Sequence, residues 1–262
     1  MSTDPGPSLD VTNWASELRG NWETLARSRY RDYFVASHRG CDDPEVWKAQ
    51  ARYDAEVVLH ELDSGSLSRA DILEIGCGVG RLAGVLAPRV RSFTGIDIAP
   101  AMIAEAQRRG GELSNARFLL GDGTRVPDGA RDRRYALAFA LAVFIHCPKV
   151  LIAALIRDAW ELLTPEGELR FQLRAEASDP TGIAPISEAP LQAVPPELPN
   201  SAPRPDEVAC MREVSALIEG HYYMGHAFRF AEVAPFLAEA VPSARPRILR
   251  FDPHHLYVDL RR

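Results

Sequence analysis

The chain lacks most of what would make it a disulfide-bonded, membrane or nucleic-acid-binding protein. It holds only 4 cysteines in 262 residues, and Cys41, Cys77, Cys147 and Cys210 stand alone with no paired spacing. Neither a disulfide scaffold nor a zinc site is expected, no metal ligand set emerges, and a reducing cytoplasm is the expected compartment. No apolar run approaches the ~20 residues needed to cross a bilayer. The first nine residues lack a basic stretch followed by an apolar one, so a secretory signal and a membrane partner are not expected. Basic charge is not concentrated either. The formal net charge is −6, and Arg27, Arg29 and Arg31, like Arg131, Arg133 and Arg134, read as solvated faces. Nucleic acid is therefore not the expected partner, because phosphate binding needs a basic surface. There are no internal repeats, and nothing in the chain fixes an oligomeric state.

What is present belongs to a globular protein: 46% hydrophobic and 25% charged residues, in a length that allows one large domain with or without a cap. Residues 11–67 are helical in pattern and rich in aromatics, among them Trp14, Trp22, Tyr30, Phe34 and Trp47. Most of these read as packing, with one or two lining a substrate pocket. Asp43-Pro44-Glu45 marks a helix start, with proline in the first turn and acid near the positive end. The organisation expected is a tail and helical cap over 1–68, a core over 69–174, a lid insertion over 175–228, and a closing helix and hairpin over 229–262.

Strands and helices alternate through the core. Strands are expected at 71–75, 92–96, 116–120, 135–141 and 168–173, with helices at 81–87, 100–109 and 149–163. Thr164-Pro165-Glu166-Gly167 reads as a turn. Near-continuous apolar strands separated by amphipathic helices imply a Rossmann-like α/β sheet, parallel and covered on both faces. Eight prolines between Pro180 and Pro205 preclude regular structure there. A helix is expected at 207–218, further along the same extended loop. A helix at 229–239 follows, with Pro235 near its first turn or kinking it, then strands at 248–251 and 254–260. Asp252-Pro253 is short enough for a hairpin, so the last strand runs antiparallel to its neighbour.

The most informative stretch is Asp71-Ile-Leu-Glu-Ile-Gly-Cys-Gly-Val-Gly80. Strand, glycine turn and helix together let the backbone approach a ligand and present free N–H groups to it. The spacing Gly76-x-Gly78-x-Gly80 alone suits many cofactors, and Arg81 stands where a dinucleotide fingerprint wants glycine. Charge discriminates better. Glu74, Asp97 and Asp122 fall at or near the carboxyl ends of successive strands, where open α/β sheets bind ligands. Three carboxylates disfavour a pyrophosphate. They suit a ligand with a sulfonium, an ammonium group and a ribose diol, with Asp97 placed for the ribose hydroxyls and Asp122 for an adenine amino group. The plainer account is that these acids cap turns and helices.

On these residues the chain resembles the class I S-adenosylmethionine (SAM)-dependent methyltransferases of small-molecule type. The likeness runs from Asp71 to about Arg174. It is carried by 73–82 (Leu-Glu-Ile-Gly-Cys-Gly-Val-Gly-Arg-Leu), 95–102 (Gly-Ile-Asp-Ile-Ala-Pro-Ala-Met), Gly121-Asp122-Gly123, and 162–167 (Leu-Leu-Thr-Pro-Glu-Gly). It implies a seven-stranded sheet of order 3-2-1-4-5-7-6 with strand 7 antiparallel, in agreement with the hairpin. It implies a cofactor site of Glu74, Gly76, Gly78, Gly80, Asp97, Ile98, Met102, Asp122 and Gly123. In that family the glycine loop holds the methionine moiety and the acid at Asp97 holds the ribose. The residue at Met102 packs on the adenine, and the acid at Asp122 binds its amino group. Ala136 replaces a frequent acid, and Glu166 sits where glycine is common; neither touches the cofactor roles.

Methyl transfer from a sulfonium asks the enzyme to align the reactants and exclude water. An acceptor hydroxyl also gains from a base with pKa near the working pH. His146, after the fourth strand, matches the histidine that small-molecule enzymes of this class often carry there; a backbone hydrogen bond at a helix start is the alternative role. His221 and His226 rank lower, and His254 and His255 belong with the hairpin. Cys147-Pro148 reverses the Pro-Cys pair of cytosine-5 methyltransferases, and the Asn/Asp-Pro-Pro-aromatic signature of amino-methylating DNA enzymes is missing. The resemblance thus implies O- or N-methylation of a small-molecule acceptor, with S-adenosylhomocysteine (SAH) as product. A catalytically silent SAM-binding partner or regulator is the alternative, and a nicotinamide-dependent oxidoreductase a distant third.

Overall fold

The computed structural model describes residues 11–36, 43–182, 225–250 and 254–262. The helix expected at 207–218, nearly all of the proline-rich stretch, His221, Cys41 and Cys210 lie outside the described residues.

One mixed sheet organises the chain. Its strands are β1 (Asp71–Ile75), β2 (Ser92–Asp97), β3 (Ala116–Leu120), β4 (Tyr135–Ala140), β5 (Leu163–Ala175), β6 (Ala227–Phe228), β7 (Arg245–Leu249) and β8 (His255–Arg261). The order is β3-β2-β1-β4-β5-β8-β7, with the two-residue β6 beside the end of β5. Strands β1 to β5 pair in parallel, and β8 runs antiparallel to both β5 and β7. Setting β6 aside, this is the expected 3-2-1-4-5-7-6 arrangement. β6 was not anticipated, since two residues carry no readable alternation. All five residues of β1 are buried, as a central strand covered on both faces requires.

The helices are α1 (Val11–Arg27), α2 (Arg31–Ala36), α3 (Pro44–Leu59), α4 (Ser64–Leu67), α5 (Ala83–Leu86), α6 (Pro100–Arg109), α7 (Lys149–Glu161) and α8 (Phe230–Ala240). On one face, Ala51, Ala55 and Val58 of α3 pack with Ile72, Phe93 and Leu137 of the sheet. On the other, Leu155 and Ile156 of α7 and Leu237 of α8 pack with Leu73, Ala138 and Leu169. The N-terminal helices therefore divide their work. α3 belongs to a core layer and starts as expected, with Pro44 in its first turn and Asp43 accepting from the Glu45 and Val46 amides. α1 touches both α6 and α7 and crosses the carboxyl edge of the sheet. There Arg19 Nη2 donates to Gly121 O at 2.9 Å and Glu23 Oε2 accepts from Ala101 N at 2.9 Å. Ala99, the residue before α6, has no capping side chain of its own, so Glu23 supplies the acid at that helix's positive end.

Several boundaries differ from expectation. The helix expected at 81–87 is only Ala83–Leu86, followed by a tighter turn over Ala87–Arg89, because Pro88 has no N–H to continue the ladder. The 164–167 turn is a bulge inside β5: Tyr135 pairs with Leu163, yet Leu137 already pairs with Glu168. α7 accordingly stops at Glu161, since Leu163 is in the sheet. β7 begins at Arg245 rather than 248. Its first residues, Arg245 and Pro246, are exposed, and a polar start blunts an edge strand without leaving an apolar signal. Pro235 lies inside α8, whose first amide, Phe230 N, is capped by Asp179 Oδ2 at 2.8 Å.

Candidate active site

The sheet's carboxyl edge opens into a cavity of about 120 Å³. Its floor is the turn after β1. Gly76 and Cys77 both donate to Ile96 O, at 2.8 and 2.9 Å, so the chain leaves β1 at a sharp angle against β2. Gly76 has φ +73°, and a Cβ there would fall 2.3 Å from Val143 Cγ2. On the opposite wall Gly123 has φ +84°, with a Cβ position 2.3 Å from Ile98 Cδ1. At both positions a neighbouring side chain takes the space of a Cβ, so only glycine lets the backbone pack this closely.

Of the ten residues the sequence proposed, Gly76, Gly78, Asp97, Ile98, Met102 and Gly123 line this one cavity. Asp97 ties the floor together. Its Oδ2 accepts from Gly78 N and its Oδ1 from Ala99 N, each at 2.9 Å. Burial raises its pKa, against the pull of those amides. Gly80, Glu74, Asp122 and His146 are not part of the lining among the described residues. The Asp122 carboxyl is exposed and folds onto its own turn, with Oδ1 accepting from Thr124 N and Oγ1, at 2.8 and 2.7 Å. Gly80 packs against Phe118 and Ala106, serving the fit of turn to sheet.

Glu74 lies deeper. It is 5% exposed, and its Oε2 has no hydrogen-bond partner among the described residues. Burial drives its pKa up to about 8; Arg81 pulls it down, while Asp97 and Asp54 push it further up. Arg81 is itself committed to Asp54, at 2.6 Å. The native state thus keeps a proton on Glu74 where the unfolded chain, ionising near 4.5, has lost it. Stability from this group is full below about pH 4.5 and falls as pH rises towards 8. Glu74→Gln is therefore expected to melt close to the wild type at pH 5 and to be more stable at pH 8, by on the order of 3 kcal/mol. Denaturant titrations at the two pH values measure this; an offset independent of pH would mean that the carboxyl is ionised throughout.

The remaining wall comes from the turn after β4 and from α1 and α2. Leu141, Ala142, Val143 and Cys147 face the cavity. His146 closes a single helical turn, Phe144–His146, and is 7% exposed. Its ring meets Trp22 edge-to-face, 5.3 Å between centroids, and Trp22 lines the cavity together with Leu18, Phe34 and Val35. Trp22 and Phe34 are thus two aromatics that do reach the pocket. Leu18, Val35 and Glu23 were missed, although Leu18 and Trp22 are four apart, one helical face. Burial lifts the Cys147 thiol to about 12 and Cys77 well above its usual value, so neither offers a thiolate. His226 lies outside the cavity walls; its Nε2 is 3.6 Å from Glu232, and burial lowers its pKa, as does nearby Lys149. Among the described residues no group of 3 or more His, Cys, Asp or Glu could hold a metal, and no helix is long and apolar enough to cross a membrane.

Residues 72–167 match a family model described as a methyltransferase domain. The chain is 39% identical over 92 residues to a malonyl-[acyl-carrier protein] O-methyltransferase of Acetivibrio thermocellus, covering 34% of this chain and 31% of that protein. It is 24% identical over 147 residues to nodulation protein S of Sinorhizobium fredii, covering 54% of this chain and 66% of that one. The chain thus spans about a third of the first relative's length and just under two thirds of the second's. Among solved structures it is similar to DhpI in a complex with SAM and HEP, with TM-score 0.59, 19% identity and 100% of both chains covered. It is also similar to magnesium protoporphyrin IX methyltransferase of Synechocystis with bound SAH, with TM-score 0.57, 18% identity, and 94% and 99% covered. The fold is that of the class I SAM-dependent methyltransferases.

Proposed function

We propose that the protein is a SAM-dependent methyltransferase that O- or N-methylates a small-molecule acceptor. The observation that carries this reading is the convergence of the glycine turn, Asp97, Ile98, Met102 and Gly123 on a single cavity. The match of 72–167 to a methyltransferase domain supports it, as do relatives named as methyltransferases.

The residues present fit that cofactor. Gly76 and Gly123 let the backbone close onto Val143 and Ile98, where a Cβ would collide, and so set the shape of the cavity walls. Asp97 is the carboxylate on the described walls, and the one guanidinium, Arg125, is already held by Asp128 at 2.9 Å. That set of groups favours a cationic nucleoside over a pyrophosphate. Asp97 would accept from the ribose hydroxyls, and Ile98 and Met102 would flank the base. Glu74, behind the turn, would ionise more readily once a cationic ligand lies nearby. When bound, SAM supplies a methyl group on a sulfonium, already activated for in-line displacement.

The chain's own work is then alignment, exclusion of water and custody of a proton. Leu18 and Trp22 of α1 and Phe34 of α2 supply an apolar cover, which favours an acceptor with an apolar or aromatic portion. His146 is the candidate base; it lies behind the cavity wall, with its ring packed against Trp22, which does line the cavity. His146→Ala should slow turnover by about 100-fold or more while SAH affinity stays within a few-fold. Equal turnover across pH would remove His146 as base. The founding test is incubation of the protein and SAM with fractionated metabolite extract, followed by quantification of SAH. Tight SAM binding without SAH formation in any fraction would point to the silent binding partner instead.

A further inference from the structure

We propose that Gln172 is a positioning residue, whose amide oxygen holds the Ala142–Val143 corner against the glycine turn and so fixes the wall between the cofactor site and the His146 turn. This role rests on the proposed function.

Ala142 has φ +57°, a left-handed conformation disfavoured for any residue with a Cβ. It sits where the sheet stops. The last β4–β5 pair is Ala140 with Phe171, so the Ala142 amide lies beyond the regular ladder. Gln172 replaces the missing backbone acceptor: Ala142 N donates to Gln172 Oε1 at 2.9 Å. A side-chain acceptor bonds this amide without requiring the chain to stay extended, and the backbone turns away into the cavity wall.

Two consequences meet at Val143. Its side chain presses into the space a Cβ on Gly76 would occupy, so the corner and the cofactor turn are locked sterically. Its carbonyl accepts from His146 N at 3.0 Å, so the same corner starts the turn that carries the candidate base. Gln172 itself is 9% exposed, and its neighbours on that face of β5 do other work. Arg170 Nη1 donates to Val58 O and His60 O, at 2.8 and 2.7 Å, and Arg174 Nη1 donates to Gly225 O at 3.1 Å. A buried strand position that needed only filling would take an apolar side chain; this one carries an amide aimed at a strained backbone.

The test combines amide hydrogen exchange at Ala142, measured without ligand, with SAH calorimetry. Wild-type Ala142 should be protected and SAH should bind. Gln172→Leu should speed that exchange by about tenfold or more and weaken SAH about tenfold. Gln172→Glu, whose carboxyl oxygen can accept the same N–H, should stay within about threefold of wild type on both readouts. Ala142→Gly in the Gln172→Leu background should restore most of the SAH affinity, because glycine holds the left-handed corner unaided. A merely structural Gln172 would lose affinity in step with melting temperature and would not be rescued at Ala142. Rapid exchange of wild-type Ala142, or Gln172→Leu binding SAH like the wild type, overturns the role. If Gln172→Leu does not fold, the wild-type exchange rate and the Gln172→Glu variant decide. A wild-type protein that fails to bind SAH while Ala142 is protected overturns the proposed function instead.

Discussion

Asp97→Ala is expected to weaken SAM and SAH binding by more than about tenfold, read by titration calorimetry. The carboxylate has two tasks in this fold. Its oxygens accept from Gly78 N and Ala99 N, joining the glycine turn to the start of α6. On the proposed reading it also accepts from the ribose hydroxyls. Alanine removes both tasks and leaves two amides without an acceptor, so stability should also fall, by about 2–3 kcal/mol. Asp97→Asn separates the tasks. It keeps one carbonyl acceptor for the turn, so melting should move less, while the charge-assisted bonds to a ligand are gone. An asparagine variant that binds SAM like the wild type would show that the carboxylate serves only the fold.

Gly76→Ala should cost about 2–4 kcal/mol of stability and take SAM binding down by about 100-fold or more. Two penalties coincide at this residue. Its φ of +73° disfavours any Cβ, and that Cβ would lie 2.3 Å from Val143 Cγ2, which belongs to the cavity wall. Relief requires Val143 to retreat, and with it the corner that leads to His146. Gly84 is the matched control. Nothing lies within 4 Å of its Cβ position, and it sits in α5, so Gly84→Ala should be neutral or slightly stabilising. Thermal melting with and without SAH compares the two. Binding by Gly76→Ala at wild-type strength would remove the glycine turn from the cofactor site.

Legibility in the sequence followed the range of each signal. β2 and α6 were readable to within a residue because apolar periodicity and Pro100 act locally. The glycine turn was readable because only glycine tolerates its geometry, a constraint written in the residue itself. The sequence predicts a short apolar strand at 168–173, although Glu168, Arg170, Gln172 and Arg174 alternate strictly with Leu169, Phe171 and Leu173. That alternation marks a polar face, and in the fold the face is buried at Arg170 and Gln172 and half-buried at Glu168 and Arg174, with Arg170, Gln172 and Arg174 spent on α3, Ala142 and Gly225. Asp122 illustrates the opposite limit. Its place after β3 was foreseen, but the direction of its carboxyl, turned onto Thr124, depends on a local turn that spacing does not encode.

By itself the sequence determined the class of sheet, the edge at which its cavity opens and several of the residues gathered there. Those follow from periodicity, glycine chemistry and charge, all properties of short stretches. Tertiary structure alone decided which of those residues share a cavity wall. It brought α1 across the sheet edge from 78 residues upstream to cap α6 through Glu23 and to set Trp22 on His146. It buried Glu74 with no hydrogen-bond partner for Oε2 among the described residues, and it placed Gln172 opposite Ala142. Such pairings arise from strand order and helix docking, which bring together residues whose separation along the chain carries no trace of their contact.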